Sequence, residues 1–206
     1  MKYLINTFLL AGVTAISASS FAADTYCNSS IKKDYVPAHF VSLNNGTIKD
    51  TRTGLVWSLC SVGQTWTLDQ NGREICKNAP TSFPTWKNAL DAVVAENANP
   101  TWTVNDWRMP NIKELDSIVD RSCYNPSINQ DIFPNTYPVN YYSSTPYKGS
   151  DDSVAGSNYD HITSRIISFR TGLENPIRPE GQTRESYSLR LVRCGEWPVT
   201  DACKAK

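Results

Sequence analysis

Apolar and polar positions change their period twice along this chain. In "FVSLNNGTIKDTRTGLVW" (40–57), short apolar runs are divided by polar turns. The Asn45-Gly46 dipeptide favours a tight hairpin, and Thr53-Gly54 closes a second turn before Leu55-Val56-Trp57, so two short strands are predicted. In "TWKNALDAVVAENAN" (85–99) the period becomes helical, with Trp86, Leu90, Val93 and Val94 recurring behind a Thr85 N-cap. The run Asn97 to Pro100 ends that helix. "DWRMPNIKELDSIVD" (106–120) predicts a second helix: Ile112, Leu115, Ile118 and Val119 share one face, leaving Lys113, Glu114, Asp116 and Asp120 outside. From Pro126 onward the pattern is strand-like in "NYYSSTPY" (140–147), "SRIISFRTG" (164–172) and "ESYSLRLVRC" (185–194). Polar segments 148–163 and 173–184 join these runs. Two helices followed by several short strands predict an α+β domain.

The first 22 residues are set apart from that fold. Lys2, the apolar run Leu4 to Ile16 and the small residues around Ser20-Phe21-Ala22 read as an export signal with a mature start at Ala23. The apolar run is too short to span a bilayer. Residues 23–206 then form one domain, expected in the periplasm, at the cell surface or secreted. Twenty basic and twenty acidic side chains, with no basic run, give no electrostatic reason to expect nucleic acid.

All six cysteines follow the leader, and an even count in an exported chain favours disulfides over metal or redox chemistry. No Cys-x-x-Cys is present. Six cysteines allow 15 pairings, and sequence does not choose among them. Cys60–Cys76 flanks a polar turn at Asp69 to Gly72, Cys27–Cys203 would tie the two ends, and Cys123–Cys194 is left by elimination.

Reactive chemistry is sparse. Asn111 and Glu114 have the spacing of a capping box, which makes Glu114 a helix-end carboxylate and the 106–120 stretch scaffold. His39 stands in the N-terminal segment, and His161 beside Asp160 is the one arguable catalytic constellation. No Gly-x-Ser-x-Gly elbow or His-Glu-x-x-His helix accompanies it, so a hydrolase using His161 is the weaker expectation. Asp151, Asp152 and Asp160 carry oxygen ligands of the kind calcium takes, but a solvated acidic loop describes them better, and no metal or cofactor is assigned.

The ordered blocks "NGTIKDTRTGLVW", "VGQTW", "TWKNAL", "DWRMPNIKELDSIVD", "NPSIN", "FPNT", "YYSSTPY" and "LRLVR" resemble the C-terminal domain of the Legionella collagen-like adhesin, from about Phe40 to Cys194. Met109 and Tyr142 stand where that family usually has Leu and Trp. The resemblance implies a C-type-lectin-like fold related to formylglycine-generating enzymes: mixed, loop-rich and disulfide-stapled, with neighbouring ends that suit a Cys27–Cys203 bridge. The calcium motifs of such lectins are not intact here, since "ENP" (174–176) and "NDW" (105–107) are out of order. The expected function is a non-catalytic binding module for acidic, glycosaminoglycan-like glycans, with Arg165, Arg170, Arg178 and Arg184 as contacts. The alternative is a structural or accessory subunit of a pilus, secretion machine or envelope complex, which binds another surface protein.

Overall fold

The structure is a computed structural model that describes residues 25–31, 36–148, 162–176 and 187–195. The export leader, His161, Asp151, Asp152, Asp160, Arg178, Arg184 and Cys203 lie outside the described residues. In chain order the strands are β1 (Tyr26–Cys27), β2 (Phe40–Ser42), β3 (Thr47–Asp50), β4 (Leu55–Ser58), β5 (Thr65–Leu68) and β6 (Glu74–Lys77). Two helices follow, α1 (Trp86–Asn97) and α2 (Ile112–Asp116). The chain then returns to strands β7 (Cys123–Tyr124), β8 (Asn140–Lys148), β9 (Ile162–Ser168), β10 (Leu173–Pro176), β11 (Tyr187–Ser188) and β12 (Val192–Cys194). The domain is α+β, and its strands pair antiparallel except β11 with β8.

Two four-stranded sheets, ordered β12-β4-β3-β2 and β10-β9-β8-β11, carry the core, and two ribbons, β5-β6 and β1-β7, stand beside them. The central strands are buried on both faces, and the two-residue period of a strand sends alternate side chains into two clusters. Leu55, Trp57, Tyr141, Ile167 and Val192 join Leu115 and Ile118 in one cluster. Val56, Tyr142, Ile166 and Leu191 join Trp107 and Met109 in the other. Two buried faces explain why these strands read as near-continuous apolar runs.

Several expectations need correction. The 40–57 stretch forms three strands, β2 to β4, and the polar segment after residue 172 contains β10. In α1, Thr85 caps Asn88 N–H as expected, but Ala89 is the buried position, whereas Leu90 and Val94 are 37% and 70% exposed. Trp86, Ala92 and Val93 pack partly buried against the second core cluster, so the inward side of α1 is shifted from the face that carries Leu90 and Val94. The second helix is shorter than predicted: α2 ends at Asp116, so of the four apolar residues Ile112 and Leu115 are helical while Ile118 and Val119 follow it; all four are buried, and so are Glu114 and Asp120. Cys60–Cys76 is bonded. Cys27 bonds Cys123, which overturns both Cys27–Cys203 and Cys123–Cys194. The reason is registration: β1 pairs with β7 so that Cys27 lies directly opposite Cys123. Cys194 is also disulfide-bonded, to a partner outside the described residues.

Candidate binding groove

The 106–120 block is closed chemically as well as sterically. The Glu114 carboxylate accepts from Asn111 N–H at 2.8 Å, and Asn111 Oδ1 accepts from Glu114 N–H at 2.9 Å, which completes the capping box. Arg108 adds a two-pronged bond to the same carboxylate at 2.6 and 2.7 Å. A planar guanidinium matches a carboxylate in this geometry, and it satisfies an acid that would otherwise be costly to bury. Arg108 is itself fixed by backbone bonds in both directions with Val192. A register shift in β8 between Tyr142 and Pro146 exposes hydrogen-bonding groups that hold the start of α2. Ser144 N–H donates to Pro110, and Thr145 Oγ1 accepts from Ile112 N–H. Asp50 is saturated likewise, by Arg52 N–H and Thr53 Oγ1, and Asp120 by Ser122 N–H and Oγ. These acids hold turns together, and their bonds are made within their own segments.

A different situation holds between the β5-β6 ribbon and the 130–138 loop, which enclose a groove of about 1110 Å3. That exceeds the upper end of the usual small-molecule pocket, about 1,000 Å3. The ribbon is tethered at its base by Cys60–Cys76. Gln64, within the "VGQTW" block, accepts from Ser61 N–H at 3.0 Å and donates to the carbonyls of Asn78 and Asn135 at 3.2 and 3.0 Å. Cys76 N–H donates to Asn135 Oδ1 at 3.1 Å, which joins the ribbon to the facing loop. The preceding Gly63 has a φ of +89°, and a Cβ there would come within 2.2 Å of Thr81 Oγ1, so only glycine serves. On the other side Glu74 accepts from Trp66 Nε1 at 2.9 Å and from Ser42 Oγ, which pins the ribbon to the end of β2. The loop is closed on itself by Gln130, whose amide bonds both Thr136 N–H and Thr136 C=O.

Beneath the floor lies Arg190, fully buried. Its Nη1 donates to the Ser58 carbonyl at 2.9 Å and to the Leu59 carbonyl, and its Nη2 donates to Thr136 Oγ1 at 2.8 Å and Ser61 Oγ at 3.3 Å. Leu59 and Thr136 both line the groove, so one side chain fastens its two sides. The guanidinium sits 5.0 Å over the Phe133 ring, and no carboxylate touches it among the described residues. Burial lowers the Arg190 pKa, an effect that neighbouring Tyr141 opposes. Burial raises Tyr141 in turn, against the pull of Arg190 and of a 2.7 Å bond to Ser61.

Into the groove the walls present Asn44, Asn78, Gln130 and Asn135, the half-buried Ile132, Tyr137 and two cations. Arg73 is committed to Asp69. Lys77 is exposed and forms no ion pair among the described residues. The lining has no histidine, and its cysteine is oxidised. Of its two acids Glu74 is engaged, which leaves Asp131 without the second free carboxylate a two-acid hydrolysis requires. Such a lining can hydrogen-bond and attract a ligand.

Of the arginines predicted as ligand contacts, the two described ones, Arg165 and Arg170, do not line this groove. Arg165, on β9, is ion-paired with Glu174 and lies 5.2 Å over the Tyr147 ring. Arg170, in the turn after β9, is exposed and forms no ion pair among the described residues. Arg178 and Arg184 are outside the described residues. Lys77, Gln64 and Arg190 carry the groove instead, and sequence reasoning passed over all three. The available signal was Arg190 itself, a cation between two apolar neighbours in "SLRLV". Among the described residues no group of three or more His, Cys, Asp or Glu is placed to hold a metal ion, and no helix is long and apolar enough to cross a membrane.

A family model described as the Lcl C-terminal domain matches residues 46–193. No curated protein and no solved structure matches the chain.

Proposed function

The chain belongs to the Lcl C-terminal domain family, and on that premise we propose that it is a non-catalytic, adhesin-type module that recognises glycans in the groove between β5-β6 and the 130–138 loop. The observation that carries this reading is the groove's lining: amides, Tyr137 and Lys77 on walls whose own polar groups are already bonded. Rigid walls reduce the ordering cost of binding. Amide groups pair with hydroxyls in both directions, and one free ammonium favours ligands that carry carboxylate or sulfate. The disulfides fit an exported domain. The export leader, and a lectin-like architecture for the α+β frame, belong to the same proposal. A glycan array with and without calcium tests it. Binding that survives chelation is expected, and failure to bind any glycan would overturn it.

One observation favours the accessory-subunit reading. Leu90, Val93 and Val94 open onto a hollow of about 600 Å3 beside Met109 and Arg108, an apolar surface suited to a protein neighbour. A purified mature chain that runs as a stable larger assembly would favour it.

A further inference from the structure

The groove does not end at its own walls. Thr25 stands at its rim, and the next residue, Tyr26, lies directly opposite Tyr124 in the β1-β7 ribbon. Directly opposed residues share one face of a ribbon, with β-carbons about 4.5–5.5 Å apart. Both rings are open to solvent, 65% and 49% exposed. The adjacent register pair, Cys27 and Cys123, is joined by the disulfide on the opposite face, so two residues of strand hold the tyrosines in place. The residue after Tyr124 is Asn125, whose N–H donates to the Arg170 carbonyl at 3.0 Å, and Ser127 Oγ donates to the same oxygen at 3.3 Å. The backbone of exposed Arg170 is therefore anchored to the residue that follows Tyr124. The other nearby cation, Arg121, is bonded to Asp116.

From this arrangement we infer that the binding site is extended: an acidic polysaccharide seated in the groove continues past Thr25, lays sugar rings on Tyr26 and Tyr124, and meets Arg170 with a carboxylate or sulfate. The inference rests on the glycan reading and adds the length of the ligand and a second contact surface for it. Tyrosine suits the role because it presents a flat apolar face and keeps a polar edge in water. A rigid pair of such rings loses little freedom on binding, as in other aromatic recognition surfaces. The cation supplies the complementarity that singles out an acidic chain over a neutral one.

The test compares short and long oligogalacturonates, with long neutral dextran as control, by titration calorimetry on the mature protein. The long acidic oligomer is expected to bind about tenfold tighter than the short one. The double change Tyr26→Ser with Tyr124→Ser removes that gain and leaves short-oligomer affinity and the melting temperature unchanged, while Tyr26→Phe with Tyr124→Phe keeps the gain. Arg170→Gln flattens the salt dependence of long-chain binding. Equal affinity for both lengths, a gain that survives the serine changes, dextran binding as tight as the acid, or no binding of either oligogalacturonate would each overturn the extended site. A wild-type protein that binds short oligomers without any length effect refutes this inference alone, whereas silence on every glycan of the array refutes the glycan reading too.

Discussion

The 106–120 block and the groove wall use one device over two ranges. In the block, Glu114 is saturated by Arg108 and Asn111, six and three residues away. In the wall, Gln64 reaches Asn78, fourteen positions off, and Asn135, while Arg190 reaches Ser58, Leu59, Ser61 and Thr136; all but the first are more than fifty positions off. The local version closes a turn and leaves nothing over. The long-range version fastens segments that have no local reason to meet, and the space between them is the groove. Burying a polar side chain on saturated bonds therefore does not mark a site; the free groups left along the edges of such a network do.

Breaking the long-range network should have the largest effect. Arg190→Met would take the donor from the buried Ser58 and Leu59 carbonyls and from Thr136 Oγ1, while Ser61 Oγ keeps Tyr141; at about 1–3 kcal/mol for each buried acceptor left short of a partner, a loss on the order of 4 kcal/mol is expected in denaturant unfolding. Arg190→Lys should rescue little, because an ammonium cannot span the same four partners. Leu115→Ala, in the local block, should cost about 2–5 kcal/mol, since that side chain is fully buried. Cys60→Ser with Cys76→Ser should cost about 3 kcal/mol by releasing a short loop, and should weaken glycan binding with it. Glu114→Gln should cost only about 1 kcal/mol, because Gln still accepts from Asn111 N–H and the half-exposed Arg108 keeps water. Equal losses for Arg190→Met and Glu114→Gln would erase the contrast between the two networks.

The same contrast explains what was legible in the sequence. Caps and loops closed within a few residues could be read: Thr85, Asn111 and the Cys60–Cys76 loop all formed as the spacing indicated, and Ile112, Leu115, Ile118 and Val119 are buried although the helix ends at Asp116. What depended on distant partners was not. Cys27 and Cys123 meet through a two-residue ribbon with no pattern of its own. Glu114 and Asp120 are the exception, missed although their partners are local: Arg108 stands six residues from the one and Ser122 two residues from the other, and these bonds let the acids be buried. Leu90 and Val94 satisfied a helical period but not the side of α1 that packs. The candidate site fared worse than the fold. Its charged member, Lys77, is unremarkable in sequence, and its shape follows from an arginine whose partners come from two distant segments, 58–61 and 133–136.

The most direct test of the account is the affinity of an array-identified glycan for wild-type protein and for the double variant Lys77→Gln with Tyr137→Ala, measured by calorimetry beside the unfolding midpoint. Both residues line the groove and both are exposed, so stability should change by no more than about 0.5 kcal/mol per site. The account predicts a loss of about tenfold or more in affinity at an unchanged midpoint, with binding indifferent to chelation. Undiminished affinity in the folded double variant would contradict it.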